Sequence, residues 1–213
     1  MFPSLFDKNE DVNVLDYIIN NEKMLRKTFS DKLETLEKTL EVMSAGVSET
    51  KRQKNKPLEY VWNLAGYVNS TSFDLAVTGE ALMFETNQWK KRYYARMAAV
   101  NIYEACLDIP NMTGKEFRKE ASKLEGGEKF LVSLGSKVKK IRKFQSEHAA
   151  WLKNIRLCCA AHREQDLSKQ LEVVFNISPT KVLEIMAEFD TLLNEIGEVS
   201  EVGINLIPSR TVA

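Results

Sequence analysis

Arg156 and His162 are the residues of this chain whose types and spacing could drive a reaction. A histidine exchanges protons near neutral pH. An arginine grips a phosphate through paired hydrogen bonds and stabilises negative charge as it develops. Together they suffice for metal-independent cleavage of RNA, with the substrate's own 2′-hydroxyl as nucleophile. Both lie in the stretch 148–166, which also holds His148, Trp151, Cys158 and Cys159.

The elements around the pair must bring it together. On a straight helix, residues this far apart point about 120° away from each other. They converge only where the helix ends or bends near Ala160-Ala161, or where a second copy of the chain completes the site. The polar sequence after His162, Arg163-Glu-Gln-Asp166, is where such an end is expected. His148, Trp151, Leu152, Ile155, Cys158 and Cys159 share one face of this helix at 3.6 residues per turn, with Arg156 at its edge. His148 therefore reads as a core-face histidine.

A second set of charged residues opens another helical segment, from about Asn87 to Leu107. Lys90, Lys91, Arg92 and Arg96 sit at its start, where the helix dipole favours acids. Their placement there suggests anion binding, and Lys90, Arg92 and Arg96 become candidate substrate-binding residues. The plainer reading is ordinary surface cations. In the same segment Trp89, Tyr93, Met97, Val100, Tyr103 and Leu107 form an apolar stripe. Two further basic runs, Lys51–Lys56 and Lys137–Lys143, read as solvated surface before phosphate contacts.

Composition bounds the rest. The chain has 213 residues, zero formal net charge, nine glycines and five prolines, which favours long helices over a many-turned β fold. Zero net charge disfavours a generally basic nucleic-acid binder but leaves room for a local patch. The three cysteines, Cys106, Cys158 and Cys159, have no CxxC spacing and read as reduced thiols of a cytoplasmic protein. The N-terminus lacks the pattern of a secretion signal, and no window suggests a membrane span. Glu34–Glu37 and Glu80–Glu85 do not make a convincing metal-binding set. No metal and no cofactor is expected.

In chain order, residues 1–11 read as an irregular lead-in. Phe29, Leu33, Leu36, Leu40 and Met43 mark a long amphipathic helix. Residues 46–57 read as a polar connector ending at Pro57, and 58–68 as a short helix. A turn at Asn69-Ser-Thr-Ser and a capping box at Thr71–Asp74 follow. After a break at Asp108–Met112, Thr113–Glu116 reads as a capping box for a short helix closed by Gly126-Gly127. A long helix then runs toward Ala161, and Leu171–Ile177 is a connecting segment. Ser178-Pro179 starts the final helix, with Ile177 and Val182 as its hydrophobic staple. The expected architecture is an all-α bundle of long antiparallel helices. Residues 1–57 form an N-terminal helical segment and basic connector, 58–206 the bundle carrying the Arg–His motif, and 207–213 a loose tail, unless all are one domain.

The run Ile155-Arg156-Leu-Cys-Cys-Ala-Ala-His162-Arg163, preceded by Trp151 and Leu152, resembles the signature of the HEPN superfamily. These are all-α proteins with an arginine and, a few residues on, a histidine near a helix end. The run is also similar to the Ile-Arg-Asn…Ala-His-His segment of Abi-type phage-defence proteins in that superfamily. The resemblance implies a HEPN-like fold in the C-terminal two-thirds of the chain. It implies a ribonuclease of toxin or phage-defence type, in which Arg156 and His162 of two subunits share one cleft. Arg163 joins Lys90, Arg92 and Arg96 as a substrate-binding candidate. The partners are then RNA, a second copy of the chain and an antitoxin-like protein. One position departs from the pattern: the residue after the arginine, usually polar, is Leu157. The alternative function is a non-catalytic helical protein that binds a partner or ligand. The test between them is whether Arg156 and His162 reach one exposed cleft lined by Lys90, Lys91, Arg92 or Arg96.

Overall fold

The computed structural model describes residues 10–158 and 165–207. Among them are seven α-helices and no strand: α1 (Glu10–Arg52), α2 (Lys56–Phe84), α3 (Gln88–Met112), α4 (Lys115–Ala121), α5 (Gly127–Arg156), α6 (Leu167–Phe175) and α7 (Pro179–Ile204). The all-α expectation holds. No helix among the described residues is long and apolar enough to cross a membrane.

Several boundaries differ from those the periodicity predicts, and local packing explains why. The connector expected at 46–57 shrinks to a turn at Gln53–Asn55, with Lys54 in the left-handed region at φ 54°. α1 runs through Gly46 because the Trp62 indole of α2 lies directly against that bare Cα, inside the space a Cβ would need. Gly46→Ala gains helix propensity but forces the indole away. A net loss of about 1–2 kcal/mol is expected, read as a lower thermal midpoint.

α2 continues through the turn and capping box expected at 69–74. The polar side chains there are satisfied without ending the helix. Asn69 donates to the carbonyl of Leu36 at 3.0 Å, and the buried Thr71 hydroxyl donates back to Tyr67 O at 2.9 Å. α3 likewise absorbs the break expected at 108–112, with Pro110 inside its last turn. Thr113 does not cap α4. Its buried hydroxyl donates to Ile109 O at 2.9 Å, Gly114 takes the N-cap position, and no side chain bonds there. The connector expected at Leu171–Ile177 is largely α6, capped by Asp166, whose carboxylate accepts from Ser168 N and Lys169 N. The start of α7 is as the sequence predicts: Ser178 Oγ accepts from Lys181 N at 3.2 Å, and Ile177 and Val182 are both buried. Gly126, with φ +80°, turns the chain before α5. The lead-in at residues 1–9 and the tail from 208 lie outside the described residues.

The chain divides into two compact units. The first comprises the described residues of Met1–Glu34, Asp74–Tyr103 and His148–Glu188. Its core holds Leu75, Leu82, Ala95, Ala99, Ile102, Leu152, Ile155, Val174, Val182 and Ile185. Phe29 meets Phe84 edge-on at 6.3 Å, and Arg26 covers the Phe84 ring at 4.0 Å. His148 is half-buried, with Nε2 3.7 Å from a Glu188 carboxylate oxygen.

The second unit comprises the described residues of Thr35–Phe73, Glu104–Glu147 and Phe189–Ala213. Its aromatic core contains Phe117 and Phe130, and Phe144 stacked on Phe189 with centroids 5.1 Å apart. The basic run of α5 is divided as an amphipathic helix requires. Val138 and Ile141 are buried, while Lys137 and Lys140 both reach Glu195, at 3.1 Å and 2.7 Å. Those lysines, Lys140 first, hold the Glu195 carboxyl below its ordinary value. Tyr67 donates to Asp108 at 2.9 Å, and Cys106 is fully buried, which pushes its thiol up to about 12. At that value the thiol is protonated at neutral pH and chemically quiet.

Candidate functional site

The first unit contains the described members of the candidate site, and α3 organises them. The structure corrects the face that α3 presents. The core-facing residues are Arg92, Ala95, Ala98, Ala99, Ile102, Ala105, Cys106 and Ile109, a stripe of mostly small side chains. The aromatic stripe named above lies on another face. Its first two members are outside the core, with Trp89 56% and Tyr93 49% exposed. The sequence held both stripes at helical spacing. Bulk favours the aromatic one in a periodicity count, but small residues let neighbouring helices approach α3 closely.

At about 100° per residue, Trp89, Tyr93, Arg96 and Tyr103 fall within about 80° of arc on one α3 face. Arg92 lies at the edge of this face. Each arginine stacks on the aromatic next to it. The Arg96 guanidinium carbon is 5.8 Å from the Tyr93 centroid, and that of Arg92 is 5.7 Å from Trp89 and 5.3 Å from Phe175. Trp89 also packs on Phe175 of α6, with centroids 5.4 Å apart. Asn87 caps the helix, its side-chain oxygen accepting from Trp89 N at 3.0 Å and Lys90 N at 3.2 Å.

Arg92 is not the surface cation that its sequence position suggests. It is only 4% exposed, and no carboxylate pairs with it among the described residues. Among the described residues its Nε has no hydrogen-bond partner, and its Nη1 makes one long bond, 3.4 Å, to Gln88 O. Burial holds its pKa below the ordinary arginine value. An unpaired buried cation is costly, and stacking on two rings offsets the cost in part. Arg92→Met keeps the volume and removes the charge. It is expected to raise stability by about 1–2 kcal/mol, or roughly 2–8 °C in melting temperature. A drop of that size in a thermal scan would make Arg92 a structural tie between α3 and α6.

The remaining candidates are placed as follows. Lys90 is exposed and 3.6 Å from the Glu85 carboxylate, about 100° around the helix from Trp89. Lys91 is half-buried, and that burial lowers its pKa. Arg156 is the last α-helical residue of α5, and residues 157–158 continue as a wider π turn. The helix thus changes its winding directly after Arg156, a few residues before the point where the sequence required an end or bend. The Arg156 guanidinium lies 5.3 Å from the Tyr103 centroid, on the same α3 face as Trp89, Tyr93 and Arg96. Arg96 and Tyr103 are about 10 Å apart along the helix axis. The structure therefore sets Arg156, Arg96 and, at the edge, Arg92 along one side of α3. His162, Arg163 and Cys159 lie outside the described residues. Leu152 and Ile155 form the buried face of this part of α5, while Trp151 and Cys158 are half-buried.

Sequence reasoning missed the exposure of Trp89 and Tyr93 and the burial of Arg92. The available signal was the second stripe, Ala95-Ala99-Ile102-Cys106-Ile109, whose N-terminal continuation by threes and fours includes Arg92. No protein-family model matches the chain, and no curated protein or solved structure matches it.

Proposed function

We propose that this chain is a HEPN-like, metal-independent endoribonuclease of toxin or phage-defence type, acting as a homodimer. Arg156 and His162 are its reacting pair, and Arg96, Lys90 and Arg163 hold the RNA. His162 takes the proton of a ribose 2′-hydroxyl. The 2′-oxygen attacks the adjacent phosphorus, and the bond from phosphorus to the 5′-oxygen breaks. The departing oxygen takes a proton from a protonated imidazole, leaving a 2′,3′-cyclic phosphate. A homodimer supplies two such histidines, one to accept and one to donate. Arg156 stabilises the charge on the non-bridging oxygens.

The observation that carries this reading is the position of Arg156 over Tyr103, on the α3 face that also holds Arg96 and two exposed aromatics. A substrate gripped along α3 thereby reaches the arginine of the motif. The change of winding after Arg156 supports the turn that the pair requires. The test is incubation of chelator-treated protein with mixed-sequence RNA. Fragments ending in 2′,3′-cyclic phosphate are expected, and intact RNA at high protein concentration rejects the reading.

A second reading is a non-catalytic helical binding protein. It is favoured by Leu157, 40% exposed where the family pattern carries a polar group. In that case RNA stays intact and the chain retains a partner through the same surface.

A further inference from the structure

We infer that the Trp89–Tyr93 ridge of α3 is a platform for single-stranded RNA, its two exposed rings stacking on bases while Arg96 meets the phosphates. The identity of the ligand rests on the ribonuclease reading, whereas the binding surface does not depend on cleavage.

Two observations support it. First, Trp89 and Tyr93 are one helical turn apart and about half exposed, so they present two aromatic faces about 6 Å apart along α3. Second, residues 88–103 hold four cations and no acid, in a chain whose net charge is zero. In sequence the flanking acids are Glu85, which pairs with Lys90 at 3.6 Å, and Glu104, directly after Tyr103. Arg92 and Arg96 have no carboxylate partner among the described residues.

Aromatic faces alternating with arginines suit single strands for a physical reason. Unpaired bases expose their faces and stack on side chains, whereas a duplex keeps its bases stacked inside. Stacking tolerates any base, so the platform grips RNA with little sequence preference and delivers it along α3 toward Tyr103 and Arg156.

The experiment is fluorescence anisotropy with a labelled 2′-O-methyl oligouridylate, which lacks the free hydroxyl needed for cleavage and so reports binding alone. The wild-type chain binds the single strand and binds its duplex with 2′-O-methyl oligoadenylate more weakly. Trp89→Ala weakens binding about 5- to 100-fold, the loss of one stacked base, and Trp89→Phe recovers part of it. Arg96→Gln lowers the slope of log affinity against log salt by about 0.7, the loss of one phosphate contact on a single strand. A merely structural arginine leaves that slope unchanged. The inference is overturned if the wild type fails to bind at about 50 mM salt. It is also overturned if the duplex binds as tightly as the single strand, or if Trp89→Ala and Tyr93→Ala bind like wild type. Binding without cleavage of ordinary RNA rejects the ribonuclease reading and keeps the platform. Cleavage that Trp89→Ala leaves at the wild-type rate rejects the platform and keeps the ribonuclease.

Discussion

If the proposed reaction is correct, replacement of His162 by alanine is expected to lower the rate of RNA cleavage at least about 100-fold, because the 2′-hydroxyl loses the group that takes its proton. Arg156→Ala removes the fork that stabilises charge on the transferring phosphorus, and a loss of about 100- to 1,000-fold is expected. Arg156→Lys restores the charge but not the paired geometry, so it recovers only part of the rate. In the proposed reaction the two residues act on one transition state, so the double variant is expected to be little worse than the poorer single one. The cleavage rate of the wild type should pass through a maximum with pH, because one imidazole must be neutral and another protonated. Arg156 also stacks on Tyr103, so its variants need a circular dichroism spectrum and melting curve beside the assay. A folded Arg156→Ala that cuts at the wild-type rate assigns the arginine to packing.

The second large effect concerns the core. Phe189→Ala is expected to cost about 3–5 kcal/mol, lowering the melting temperature by roughly 6–20 °C. Phe189 is completely buried, and its ring packs on the equally covered Phe144 at 5.1 Å. Truncation removes the apolar contact and leaves a cavity between α5 and α7, whose backbones are held in helical hydrogen bonding. Phe189→Leu fills most of that volume and is expected to recover more than half of the loss. Urea unfolding measures both variants on one scale. An alanine variant within about 1 kcal/mol of wild type would mean that this core repacks freely around the gap.

The helical architecture was legible from periodicity, and the reason is visible in individual elements. Val182, Ile185, Phe189, Leu192, Ile196 and Val199 recur at helical spacing along α7; four are buried, and Leu192 and Val199 are half-buried. Ser178 and Pro179 announce the start of that helix, and both occupy the positions expected. What failed was punctuation. Gly46, Thr71 and Thr113 each carry a local turn or cap signal, and each is overruled by packing or by a hydroxyl bonded back along the helix. Such residues report local preference, and tertiary contacts decide among the options. α1 shows the limit from the other side. Phe29, Leu33, Leu36, Leu40 and Met43 form the predicted stripe, yet each is only half-buried. Periodicity identifies the face turned toward the protein but not how completely a neighbour covers it.

The site was legible in residue type more than in geometry. The sequence singled out Arg92 and Arg96 by their position against the helix dipole, and the structure shows two different environments, one buried between rings and one beside an exposed tyrosine. Nothing in the periodicity placed Arg156 over Tyr103, because that contact joins α5 to α3 across a long separation in sequence. Two competing stripes on α3 hid the aromatic ridge. The stripe of small residues won the core because alanines allow close helix packing.

The proposed cleavage runs through the substrate's own 2′-hydroxyl. The most direct measurement compares one oligonucleotide sequence made as RNA and as its 2′-deoxy counterpart, both incubated with chelator-treated wild-type protein. The RNA is expected to be cut to fragments with 2′,3′-cyclic ends while the deoxy strand stays whole. Equal cleavage of both strands, or no cleavage of either, contradicts it.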